Sequence, residues 1–137
     1  MFCYCTVGMS IDRLDDNLVE LIVYASKADE ALVELLTISA SYHRNGAPLN
    51  LHHTVNIGQP WIDKSNCNHG LISLPYLDGP QLEIFSFAGY EVHCYWMIPV
   101  TEKEKNYKSK YGWEALEKLF ENNKLDYLNP DRDCMAP

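Results

Sequence analysis

Apolar and polar positions alternate at the start of the chain with a period of two. In FCYCTVGMS, Cys3, Cys5 and Val7 point one way while Phe2, Tyr4 and Thr6 point the other. The turn-forming DRLDDN follows, and LVELIVYA resumes the alternation, with Val19, Leu21 and Val23 on one face and Glu20, Ile22 and Tyr24 on the other. This period, with abundant β-branched and aromatic residues, predicts a β-hairpin or two neighbouring strands. A chain that opens in mid-strand suggests a missing upstream element, and a short edge strand there is exposed to whatever pairs with it.

The period then changes. SKADEALVELLTISASYH carries Leu32, Leu35, Leu36 and Ser39 at helical spacing. Ser26 and Asp29 stand as an S-x-x-D capping box, Asp29 and Glu30 suit the positive end of the helix dipole, and Gly46 and Pro48 stop the helix. Residues 44–81 are rich in Gly, Pro, Asn and His, with short apolar pieces between turns such as Gly58–Pro60 and DGP at 78–80; short strands and shaped loops are expected. LEIFSF alternates, and GYEV leads into a long strand over 91–99, which Pro99 should end because it has no N–H to give. Thr101 and Glu104 form a second box, T-x-x-E, opening a helix to about Tyr111. Gly112 breaks or bends it, and Trp113, Leu116, Leu119 and Phe120 then recur at helical spacing before the wrap LDYLNPDRD. No repeat or linker divides the chain, and residues 1–137 read as one domain.

Composition narrows the functions. The 137 residues suffice for a core without staples or metal, and the 47% hydrophobic and 22% charged shares are those of a globular domain. A formal charge of −8 argues against nucleic acid and anionic membranes as partners and suits a basic protein. The first residues lack the pattern of a signal peptide, and no apolar run is long enough for a membrane helix. The five cysteines, Cys3, Cys5, Cys67, Cys94 and Cys134, have irregular spacing, which fits free thiols in the reducing cytoplasm.

Chemistry is sparse. On the long strand Val92, Cys94, Trp96 and Ile98 share one face and His93, Tyr95 and Met97 the other, so His93 and Cys94 cannot act as a pair. His52, His53, Cys67 and His69 offer three nitrogens and a thiolate, but without the tight second pair of a zinc site. Cys67 near His69 lacks a third orienting group, Ser65 and Ser73 lack a nucleophile elbow, and no phosphate-binding loop is present. Asp15–Asp16 and Glu102–Glu104 lie in a turn and at a helix start, where solvation and the dipole explain them. KEKNYKSKYG is basic but follows glutamates and does not read as a nucleic-acid patch. No catalytic, metal or cofactor-binding residue is therefore expected. What remains is exposed shape. Trp61 and Tyr76 stand beside prolines with Asp63 and Asp78 flanking them, a pattern of aromatic anchors and acidic rim seen at protein interfaces; the plainer reading has the aromatics closing the ends of the core.

The segments HTVNIGQPW, LPYLDGP, W-x-IPVTEKEK, G-x-EAL and LNPDR, in that order, together with the opening around Tyr4 and Thr6–Ser10, resemble the bacterial suppressor-of-fused-like (SUFU-like) family. The resemblance runs from about residue 2 to Arg132. It implies an α+β fold with a mixed, mainly antiparallel sheet packed against helices, no cofactor and no catalysis. It also implies protein binding, since eukaryotic members restrain a transcription factor partly by accepting a β-strand from it, and many bacterial members are thought to be immunity proteins. Family members usually carry a longer segment before the early strand, so the domain is expected to lack its N-terminal portion. None of these motifs assigns a role to a single residue. The leading expectation is a monomeric, cytoplasmic immunity protein that neutralises a cationic toxin domain. An intracellular adaptor that binds partner peptides by strand addition is the alternative, and a metal- or thiol-dependent hydrolase the third.

Overall fold

The computed structural model describes residues 1–11, 17–77 and 79–137. In chain order the elements are β1 (Phe2–Cys5), β2 (Val19–Ala25), α1 (Ala31–Asn45), β3 (Thr54–Asn56), β4 (Cys67–Ser73), a 3-10 turn (Pro80–Leu82), β5 (Ile84–Phe87), β6 (Tyr90–Thr101), α2 (Glu102–Tyr111) and α3 (Trp113–Asn122). Apart from Asn17, the turn expected at DRLDDN, with Asp15 and Asp16, lies outside the described residues, as does Asp78.

β6 organises the sheet. β2 pairs with it in parallel, Val19 opposite His93 and Ile22 opposite Trp96. On its other side β5 and β4 pair antiparallel with its first and second halves. The path is β1-β2-β6-β4-β3, with one parallel pairing in an otherwise antiparallel sheet. The mixed, mainly antiparallel α+β architecture is therefore as expected. β5 and β6 join through Ala88 and Gly89, both with positive φ (51° and 84°), which matches a two-residue primed turn and the twist of its strands.

Helices cover both faces of the sheet, which explains why β2 and β6 are apolar on both sides. On one face Val19, Leu21, Val23, Ile72 and Met97 pack with Leu32, Leu35 and Leu36 of α1. On the other Ile22, Tyr24, Cys94, Trp96 and Ile98 pack with Leu116 and Phe120 of α3 and with Leu125 beyond it. Each fully buried aliphatic or aromatic side chain contributes about 1.5–3 kcal/mol over an exposed one. Cys94 lies in the α3-side core, whereas Tyr95, whose ring is 5.8 Å from that of His93, packs on the α1 side. The opposed orientation of His93 and Cys94 holds.

Three local expectations are corrected. α1 starts at Ala31, and no Ser26–Asp29 box forms. The Asp29 carboxylate instead accepts from the Ala31 N–H at 2.9 Å, and its own N–H donates to the Tyr4 hydroxyl at 3.0 Å. Asp29 thus ties the helix start to β1. Second, Pro99 does not end β6, which continues to Thr101. The Pro99 carbonyl accepts from Arg132 Nη2 at 2.8 Å, so it points away from β4, where Pro99 sits opposite Gly70. A strand residue directs its N–H and C=O to the same side, so the missing donor also faces away from β4, past the last β2 partner at Trp96. No ladder bond is lost. Third, Trp61 lies in the core, as described below.

The Thr101–Glu104 box forms as expected: the Glu104 N–H donates to Thr101 Oγ1 at 3.2 Å and the Thr101 N–H to Glu104 Oε1 at 3.0 Å. The same carboxylate receives both arms of Arg132 from the C-terminal wrap, Nη1 to Oε2 and Nη2 to Oε1, each at 2.9 Å. Ser65 Oγ donates to the Pro130 carbonyl, fastening the wrap to the loop before β4. Gly112, at φ 95°, separates α2 from α3.

Candidate functional site

β1 is one end of the sheet, pairing with β2 and, among the described residues, with no other strand. Its register follows from its hydrogen bonds. The Thr6 N–H donates to the Leu21 carbonyl at 2.9 Å, so by antiparallel alternation the backbone groups of Tyr4 also turn toward β2 while those of Cys5 turn outward.

Glu20 holds this edge in place from beneath. Its carboxylate is buried, 6% exposed, and accepts from Thr6 Oγ1 (2.8 Å), the Met9 N–H (3.0 Å), the Ser10 N–H (2.9 Å) and the Ser10 hydroxyl (2.5 Å). Gly8, at φ 94°, lets the chain curl so that these donors converge. Charge-assisted bonds of this kind are roughly twice as strong as neutral ones, and here they compensate for burying the charge. The conformation of the Thr6–Ser10 stretch is thus set by one acidic residue on β2.

Between β1 and α1 runs an apolar groove of about 510 Å³. Leu36 and Met9 are buried within it, and Tyr4, Val33, Thr37 and Ala40 contribute to its lining. Val33 and Val7 are exposed, at 54% and 93%. Arg44 at one end donates to the carbonyls of Gly8 (3.1 Å) and Ile11 (2.9 Å). The groove lies on the α1 side of β1, where side chains of an added strand would reach.

The four residues expected at an interface separate. Trp61 is 2% exposed; its N–H donates to the Cys67 carbonyl at 2.7 Å, and its ring packs in the α1-side core near Gly70. A ring so enclosed is not a surface anchor, and for Trp61 the plainer reading holds: it closes the core. Asp63 is exposed in the loop that follows. Tyr76, 57% exposed, stands across the sheet at a cavity beside α3, and Asp78 lies outside the described residues. The residues of the β1 groove were not singled out individually from the sequence; the signal available was the alternation of FCYCTV at an edge.

The imidazoles and thiols do not assemble. His52 stacks flat on Trp113, centroids 3.6 Å apart and planes 7° from parallel, and burial followed by the Lys108 charge lowers its pKa against a weaker pull from Glu114. His53 Nδ1 accepts from the Asn50 N–H at 3.2 Å. Nδ1 of His69 lies 2.7 Å from Asn68 Oδ1, and burial and then Lys105 lower its pKa, with Glu102 opposing. Cys67 is fully buried, and desolvation pushes its thiol up to about 11 despite the nearby Arg132 charge, the opposite of what a nucleophile needs. Among the described residues no group of three His, Cys, Asp or Glu side chains is placed to hold a metal ion. No helix among them is long and apolar enough to cross a membrane.

The family model described as Suppressor of fused protein (SUFU) matches residues 1–133. A suppressor of fused homologue from Neisseria gonorrhoeae is 29% identical, with a TM-score of 0.84 over 98% of this chain and 70% of that one. Drosophila Suppressor of Fused gives a TM-score of 0.73 at 14% identity, covering 97% of this chain and 38% of its own. A chain of the Sufu–Fu complex gives 0.68 at 14% identity, covering 85% and 57%. At that identity the last two show a shared fold. No curated protein matches the chain.

Proposed function

The chain belongs to the suppressor of fused protein (SUFU) family, and from that premise we propose that it is a protein-binding module that receives an extended partner segment along the outer edge of β1. The edge of β1, which pairs with β2 alone among the described residues, carries this reading together with the apolar groove beside it. Strand addition supplies backbone hydrogen bonds at an edge and side-chain selectivity in a neighbouring groove, and both features occur here together. The related chain in the Sufu–Fu complex engages a protein, which supports the same class of role. A thiol-dependent hydrolase is not favoured, because burial pushes the Cys67 thiol up to about 11. The protein would act as a cytoplasmic monomer.

Selection from a random peptide display library, followed by amide-shift mapping, tests the proposal. Enriched peptides should alternate apolar and polar residues, shift the β1 amides and lose binding to the Cys5→Pro variant. That substitution removes an outward N–H, a position where edge strands tolerate proline. Absence of binders, or binders that leave β1 unshifted, overturns it.

The charge of −8 favours a basic partner and so supports a second, finer reading, an immunity protein that neutralises a cationic toxin domain. Protection in co-expression with the toxic product of a neighbouring gene, through a 1:1 complex, is the result that reading requires.

A further inference from the structure

Across the sheet from α1 lies a second cavity, of about 340 Å³, that the β1 edge does not use. Leu71, Trp96, Ile98 and Phe120 line it from the α3-side core. The Tyr127 ring stands 5.3 Å from Trp96 and meets Phe120 edge-on at 6.4 Å. The exposed Tyr76 also contributes to the lining, together with Glu117 and Glu121, one helical turn apart on α3.

Two features of this cavity are unmet. Ser73, only 2% exposed, lines it, yet its hydroxyl makes no hydrogen bond among the described residues. Neither Glu117 nor Glu121 forms an ion pair among the described residues, and burial, then Glu121 and Glu114, raises the pKa of Glu117. The cavity thus combines aromatic surface, a spare acceptor and uncompensated negative charge.

We infer that this cavity seats an arginine side chain of the partner protein, its stem and guanidinium plane against Tyr76 and Tyr127, above the buried floor of Trp96 and Phe120, and its N–H donors met by Glu117, Glu121 and Ser73. A planar guanidinium both stacks on aromatic faces and gives several directed hydrogen bonds, whereas a neutral side chain would leave the carboxylates unpaired. The inference rests on the reading of the chain as a protein binder, but on a different surface from the β1 edge.

The test uses the whole protein and a minimal probe, N-acetylarginine methylamide, with its neutral isostere N-acetylcitrulline methylamide as the control. The Trp96 indole N–H and Ser73 amide resonances should shift saturably with the arginine probe. Affinity for citrulline should be at least about tenfold weaker, and the Glu117→Gln/Glu121→Gln double variant should lose at least about tenfold for arginine. Its unchanged thermal midpoint would show that the fold is intact. Equal binding of the two probes, shifts centred outside the cavity, or no shift up to the solubility of the probe overturns the inference. A single amino acid cannot add a strand, so this result is independent of the peptide selection: either can fail while the other succeeds.

Discussion

Arg132 holds Glu104 in a two-pronged ion pair that is almost wholly shut off from water, with side chains 4% and 0% exposed. The same arginine satisfies the Pro99 carbonyl, and the same glutamate closes the α2 cap. One contact therefore joins the last turn of the chain, the end of β6 and the start of α2. Breaking such a pair from one side leaves a buried charge alone, at a cost of about 3–5 kcal/mol. Arg132→Met and Glu104→Gln should each lower stability by that order in urea unfolding. Replacing both residues should cost less than the sum of the two single changes.

Thiol chemistry should separate Cys67 from Cys5. Cys5 is exposed and Cys67 is buried with its pKa raised to about 11, so a mild disulfide reagent at neutral pH should modify Cys5 quickly and Cys67 only as the protein unfolds. The effect on stability follows from linkage. Between pH 9 and 11 the unfolded thiol has lost its proton while the folded one keeps it, so the unfolded state binds fewer protons and Cys67 makes stability fall as pH rises through that window. Cys67→Ala should flatten that alkaline slope.

Acid acts in the other direction through His52 and His69. Both have pKa values below the usual 6.5, so as pH drops past that value the unfolded chain takes up protons that the folded one resists. Their contribution to stability is present above 6.5 and is lost below it. Imidazole resonances of both residues should titrate below 6.5, and the loss of stability on acidification from there should be smaller in His52→Asn than in the parent.

At Gly70, β4 lies tight against the α1-side core. A Cβ there would lie 2.6 Å from Met97 Cγ and 2.7 Å from its sulfur, with the Trp61 ring at 3.4 Å. Overpacking should make Gly70→Ala cost about 1–3 kcal/mol. Trp61→Ala, which empties the other side of the same contact, should cost about 3–5 kcal/mol. Thermal unfolding measures both. The Trp61 variant should bind selected peptides normally at temperatures where it stays folded.

Much of the fold was legible because its signals are local. The alternation in VELIVYA, the leucine stripe of α1, the T-x-x-E box and the break at Gly112 each depend on residues a few positions apart. The misreadings arose where a distant partner changed the local rule. Pro99 stays within β6 because Arg132 takes its carbonyl, and Asp29 was drawn into a contact with Tyr4. Trp61 looked like a loop aromatic because nothing near it in sequence shows that Gly70 leaves room for its ring. The α3-side cavity was missed, Tyr76 excepted, because Ser73, Trp96 and Glu117 come from three separate elements. The spacing of Glu117 and Glu121 around Phe120 was the only local hint.

The parallel union of β2 with β6 has a consequence during synthesis on the ribosome. β2 emerges long before its neighbour, and six of its seven residues are ones the finished protein hides from water. Until β6 arrives, that sticky ribbon must wait with little to shield it beyond β1 and α1, because a distant, parallel match forms slowly. Yield in the cell should therefore depend on how fast translation reaches residue 101 and on chaperone supply as much as on the stability of the finished protein.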